Sequence, residues 1–175
     1  MDFIFKKRRI IFALIFLTIL LAISFLSPKK NEQLEYNEQL EYRDGDIINL
    51  EIRGEDQQFK GEFLAELSLS NEAHYLGLSN RENLNNNMTM LFVFENKAKR
   101  TFVMRDMNFP LDIIFLSDNK IIDIYKNLEP EGSEPKNLYS STDLSNMVLE
   151  MNGGMAEKYN LKLDDYIMIN RVDSL

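Results

Sequence analysis

At 175 residues with no cysteine, the chain has room for one domain and cannot draw on disulfides. Charge is divided unevenly: residues 1–30 hold six Lys/Arg and one Asp, leaving fourteen Lys/Arg against twenty-seven Asp/Glu for residues 31–175, a formal charge of −13. So acidic a surface argues against nucleic acid and against an anionic membrane face as partners of the main domain.

Residues 1–9 form a basic N-terminus with Lys6, Lys7, Arg8 and Arg9, and from Ile10 to Leu26 only Thr18 and Ser24 are polar. As a helix that run is about 26 Å long, close to a hydrocarbon core of ~30 Å. The small-residue triplet Ala22-Ile23-Ser24 lies inside the run, a poor cleavage site, so residues 10–27 are expected to be an uncleaved transmembrane signal anchor rather than a cleaved signal peptide. The basic excess ahead of it predicts a cytoplasmic N-terminus and an extracytoplasmic C-terminal domain. Residues 28–45 contain Asn31-Glu-Gln-Leu-Glu-Tyr36 and an identical copy at 37–42. A six-residue period matches neither a heptad nor a solenoid, and the segment reads as a polar linker.

The domain is expected over 46–175. Arg43-Asp44-Gly45-Asp46 has turn chemistry. Ile47–Ile52 and Phe59–Leu69 alternate in period two around a polar Gly54–Gln58 segment, which predicts an opening hairpin. Ser70 is placed as the N-cap of a short helix carrying Ala73, Leu76 and Leu78 on one face, ended by Asn80. Short β-branched or aromatic runs follow at Met90–Phe94, Thr101–Met104, Leu111–Leu116 and Ile121–Tyr125, with Met147–Glu150 after an acidic turn-rich loop at 129–135. Gly153-Gly154 marks a break, Met155–Asn160 a helical turn or two, and Tyr166–Asn170 a closing strand. The whole predicts an α+β domain, mainly antiparallel β, a barrel or sandwich with one or two short helices.

The order of these pieces resembles the DUF192 (uncharacterised ACR) family over residues 63–170. The resemblance is carried by Gly77-Leu78 with Arg81, Met90–Phe94, Phe102-Val103-Met104-Arg105, Pro110-Leu111-Asp112-Ile113-Ile114-Phe115, Val148-Leu149-Glu150 with Gly153-Gly154, and Leu163-Asp164-Asp165. Ser79, Thr89, Val103 and Arg105 stand where the family usually has Met, Gly, Trp and Lys. What the resemblance implies is a compact, mostly β domain, often exported or anchored, without an agreed activity.

Three residues carry the chemistry expected of a ligand site: Arg105, Asp112 and Glu150. Asp112 sits between Leu111 and Ile113, so in a strand its side chain opposes theirs. On a covered face it needs a cation or an N–H, and Arg105, across the turn at Pro110, is the expected partner. Glu150 ends a strand before the glycine pair and raises the same need. If the three converge they form a pocket for a small polar ligand, and a carboxylate-dependent hydrolase or transferase is the alternative. A protein-binding role toward another envelope protein is the other form of the binding-module reading.

Nine methionines raise a third possibility, thioether ligands for copper, with Met88/Met90, Met104/Met107 and Met151/Met155 as neighbours. Methionine is also a common core filler, and the only histidine, His74, has no Cys or His companion for zinc. No phosphate loop, nucleophile elbow or metalloprotease motif is present, so no catalytic residue, cofactor or metal ligand is assigned.

Overall fold

The computed structural model describes residues 42–170. The expected anchor at 10–27 and most of the 28–45 linker, including all of the duplicated hexapeptide but Tyr42, lie outside them. Among the described residues no helix is long and apolar enough to cross a membrane.

The elements run β1 (Ile47–Arg53), β2 (Phe59–Ser68), α1 (Asn71–Leu76), β3 (Met88–Ala98), β4 (Thr101–Phe102), β5 (Leu111–Ser117), β6 (Lys120–Leu128), β7 (Tyr139–Ser140), β8 (Ser145–Asn152), α2 (Met155–Lys158) and β9 (Tyr166–Asn170). Seven strands close a barrel in the order β1-β2-β3-β8-β5-β6-β9, and β4 pairs with β7 in a separate two-stranded sheet. Alternation on β1 and β2 gives the predicted hairpin, with Ile48↔Ala65 and Leu50↔Phe63 in register. The turn at Arg43–Asp46 forms as its residues require, Gly45 taking φ +85 and the Asp46 N–H donating to the Arg43 carbonyl at 3.1 Å.

The barrel is mainly antiparallel, as expected, and one sequence expectation changes in length. Within the barrel there is one parallel pair, β2 with β3 (Leu64↔Met88 to Ser68↔Phe92). A parallel neighbour needs a crossover, and residues 69–87, α1 included, supply it. The helix itself is shorter than expected. Ser70 caps it, its hydroxyl accepting from Ala73 N–H at 3.1 Å, but Leu76 is 56% exposed and the helix buries none of its own residues. Leu78 is buried from the turn beyond it.

Apolar side chains form two clusters. The first draws on all seven barrel strands, with Leu50, Phe63, Leu91, Leu116, Ile121, Leu149 and Ile167 among its members, and fills the lumen. The second contains Met90, Phe92, Ile113, Phe115 and Val148 from β3, β5 and β8, capped by Leu78, Met104 and Met107. It lies outside the barrel wall, because these positions alternate with the lumen residues along the same strands. β5 and β8 are therefore buried on both faces. The methionines divide as apolar filling, Met90, Met104 and Met107 in the outer cluster and Met147, Met151 and Met155 in the lumen cluster.

Gly153-Gly154 turns the chain from β8 into α2, and the two glycines serve different needs. Gly154 takes φ +84 as the residue before α2, a conformation costly for any residue with a Cβ. Gly153 lies against Pro110, its N–H donating to the Pro110 carbonyl at 2.8 Å. A Cβ there would come within 2.8 Å of the Pro110 Cβ and 3.2 Å of its carbonyl carbon. Gly153→Ala should therefore lose about 2 kcal/mol of stability in denaturant unfolding. Gly132→Ala, whose Cβ meets nothing within 4 Å, should stay near wild type.

Candidate functional site

The strand pairing separates the two carboxylates that the sequence brought together. Across β5 and β8, Asp112 stands opposite Met151 and Ile113 opposite Glu150. The two acids occupy consecutive rungs of one ladder, and alternation turns them to opposite sides of the wall: Asp112 to the lumen side with Met151, Glu150 to the outer side with Ile113.

Asp112 is fully buried, and its partner is not Arg105. Its Oδ1 accepts from the Asn127 N–H at 2.7 Å and the Gly154 N–H at 3.0 Å, and its Oδ2 from the Ala156 N–H at 2.6 Å. One carboxylate thus joins β5, β6 and the start of α2. Three charge-assisted bonds from backbone N–H groups are enough to hold a buried carboxylate, and at 0% exposure it is closed to solvent.

Arg105 faces elsewhere. Its Nη2 donates to the Tyr75 carbonyl at 2.6 Å, its guanidinium carbon lies 3.9 Å above the Tyr75 ring, and the nearest carboxylate is Asp106 at 3.9 Å. The loop around it is stitched to the turn after α1, Ser79 Oγ donating to the Arg105 carbonyl at 2.8 Å and Asn80 N–H to the Asp106 carbonyl at 2.7 Å. These bonds tie one end of the 99–107 segment to the α1 crossover. Between them is a cavity of about 490 Å³ into which both Arg105 and Glu150 project.

Glu150 forms its floor. The carboxylate-bearing residue is only 5% exposed, its ladder neighbours are Met90 and Ile113, and among the described residues no group hydrogen-bonds to its carboxyl. Burial in this apolar setting pushes its pKa up to about 8, against the pull of the Arg81 guanidinium. Arg81 is itself engaged by a carboxylate, both its terminal nitrogens donating to Glu66 at 2.7 Å. Gly77 completes the floor. It takes φ +52, and a Cβ there would stand 3.4 Å from the Phe92 ring and 4.0 Å from Glu150 Oε2.

The walls are aromatic. Phe92 and Phe102 meet edge to face at 4.9 Å, and the His74 ring lies 4.3 Å from that of Phe94. Lys99, Arg100 and Arg105 also line the pocket. Sequence reasoning placed Arg105 and Glu150 but missed Lys99, Arg100 and the walls. The available signal was Lys97-Ala98-Lys99-Arg100, the densest basic run between residues 42 and 170. Among the described residues no three His, Cys, Asp or Glu side chains group as a metal site would require.

Two variants separate the roles. Asp112→Asn turns an amide N–H toward one of the three backbone donors and should cost about 3 kcal/mol of stability. Glu150 acts in the opposite sense. Its folded pKa is raised, so its contribution is full below about 4.5 and is lost as pH rises to about 8, at about 1.4 kcal/mol per pH unit. Glu150→Gln should therefore gain on wild type steadily across that window and hold a constant advantage above it, read as Tm against pH.

The comparisons with known proteins agree with this architecture. A Sinorhizobium meliloti 1021 protein whose description suggests a transcription regulator superposes with a TM-score of 0.67 at 21% identity, over 73% of this chain and 97% of its own. A Novosphingobium aromaticivorans DSM 12444 protein of unknown function superposes with a TM-score of 0.62 at 27% identity, over 70% of this chain and 84% of its own. Comparison with curated proteins gives no match. The model of the DUF192 family, uncharacterised ACR, matches residues 48–169, which spans the barrel and every residue of the pocket, and the chain belongs to that family.

Proposed function

We propose that this protein is a non-enzymatic binding module that takes a small polar ligand in the pocket between α1 and the 99–107 segment. We further propose that residues 10–27 anchor it in a membrane, with the barrel domain on the extracytoplasmic side. The observation that carries the binding reading is Glu150, a carboxyl-bearing residue only 5% exposed, with no hydrogen-bond partner among the described residues, lining a cavity. Such a group costs stability in the empty protein, and a ligand that bonds to it recovers that cost. The anchor rests on the seventeen-residue apolar run and the basic residues before it.

Binding is favoured over hydrolysis or group transfer because the second carboxylate which that chemistry needs is occupied elsewhere: Asp112 spends its oxygens on three backbone N–H groups on the far side of the wall. The copper reading is weakened by the division of six methionines between two apolar cores. The description of the Sinorhizobium protein concerns that protein, and the acidity of this domain opposes DNA binding.

Thermal-shift titration of the full chain against small organic anions, sugars, nucleotides and metal ions tests the proposal. A ligand at a hundredfold its Kd should add about 2.7 kcal/mol and raise Tm by several degrees, and Arg105→Met should reduce the shift. Failure of every class to move Tm would sink the small-ligand reading in favour of an envelope-protein partner.

A further inference from the structure

The ligand's chemistry follows from the charges at the pocket, granted the reading of it as a ligand site. In this acid-rich domain Arg53, Lys60, Arg81, Lys97 and Lys120 each find a carboxylate at 2.5–2.7 Å. Of the three cations lining the pocket, Lys99 and Arg100 have no ion-pair partner among the described residues and Arg105 reaches only Asp106, at 3.9 Å. Arg100 is held by neutral groups, its Nη2 donating to the Asn96 carbonyl and side-chain oxygen at 2.6 Å, with its guanidinium carbon 3.9 Å above the Phe94 ring. Arg105 is held the same way, by the Tyr75 carbonyl and ring. Lys99, exposed beside them, has no ion-pair partner among the described residues. Both guanidiniums are thus fixed in position beside the pocket, Arg100 with no carboxylate partner among the described residues and Arg105 with Asp106 alone, at 3.9 Å.

We propose that the pocket binds a small organic anion built on a flat ring. Its charged head meets Lys99, Arg100 and Arg105, its ring lies among Phe92, Phe94 and Phe102, and an acceptor at its deep end takes a hydrogen bond from the Glu150 carboxyl. Three positive charges lining the pocket steer anions in and repel cations, while edge-exposed aromatic walls favour a planar ring. A carboxyl buried beside Met90 and Ile113 keeps its proton near neutral pH and so presents an O–H donor.

Proton linkage follows from the groups that face Glu150. Arg81, tied to Glu66, comes from the turn after α1, His74 and Tyr75 from α1, and Arg100 and Arg105 from the covering segment. The flanking strands present only Met90 and Ile113 on either side. The arginines keep their charge across the working range, and His74 Nε2 is engaged with the Ser68 carbonyl at 2.9 Å. Above neutral pH Glu150 is therefore the group whose ionisation removes the donor and adds a repelling charge. Anion affinity should fall as it ionises.

Four probes of one shape and different charge make the test, with the full chain observed by NMR at the amides of residues 77–79 and 99–105. Isonicotinate carries a carboxylate and, across its ring, an acceptor nitrogen. Benzoate lacks the acceptor, isonicotinamide lacks the charge, and 4-(aminomethyl)pyridine reverses it. The expected order is isonicotinate first, then benzoate, with the amide and the amine at least about tenfold weaker than isonicotinate. Isonicotinate affinity should drop about tenfold per pH unit above about 8 in wild type. Glu150→Gln, which keeps a neutral donor, should bind with no pH dependence in that range, and Arg100→Met and Arg105→Met should each weaken the two anions more than the uncharged isonicotinamide.

Tightest binding by the amine would overturn the anion assignment and leave the pocket reading standing. A pH-independent wild type would overturn the role given to Glu150. Silence from all four probes would overturn this ligand class, and the pocket reading falls with it only if the broader thermal-shift panel is silent too.

Discussion

Burial of β5 and β8 on both faces governs what their polar residues can be. A strand covered on one side only can hide an acid by turning it to water, and these two have no such side. Every carboxylate on them must find donors or give up its charge. Asp112 and Glu150, on consecutive rungs of the same ladder, meet that demand in opposite ways. Asp112 is surrounded by backbone N–H groups and joins three elements. Glu150 has hydrocarbon on both sides and a cavity in front, and its affinity for a proton rises accordingly. One acid holds the wall together while the other stays available.

The cavity exists because β2 and β3 run parallel. An antiparallel pair could have been joined by a tight turn, and the outer face of β3 would then have lain open or been closed by the second cluster alone. The parallel step instead forces the chain out over the wall and back, leaving α1 and the turn at Gly77–Arg81 as one bank of the pocket. The other bank, 99–107, is drawn over by the β4–β7 pairing and by the bonds from Ser79 and Asn80. The helix that makes this crossover buries none of its residues, so its place is set by its ends and by the stacking of Tyr75 under Arg105.

Much of this was legible in the residues and some was not, for physical reasons. Period-two alternation gave the strands and the side to which Asp112 points, because a strand's side chains alternate whatever their partners. Strand direction leaves no such trace, so a mainly antiparallel sheet could be expected but the one parallel pair, β2 with β3, could not be located. The demand for a partner at Asp112 could be read, but its identity could not. Asn127, Gly154 and Ala156 contribute main-chain N–H groups, which every residue but proline possesses, whereas Arg105 advertised itself by its charge. Arg105 in turn is satisfied by a carbonyl and a ring at Tyr75, thirty residues earlier. The methionines were ambiguous on paper, since a thioether that fills space and one that binds metal look alike until the neighbours are known.

The place of β8 in the barrel has a bearing on how the site comes into being. It is the eighth of nine strands in the chain, yet it lies between β3 and β5 and joins them. A chain that emerges N-terminus first, from a ribosome or through a translocation pore, can form the β1–β2 hairpin and the β5–β6 hairpin early, because their partners are close in sequence. Until residues 145–152 arrive, those hairpins belong to two unconnected half-barrels with apolar edges and no pocket. Glu150 enters with the strand that joins the halves, so the floor of the pocket and the bridge between them form together, and β9, pairing with β1 and β6, closes the barrel only afterwards.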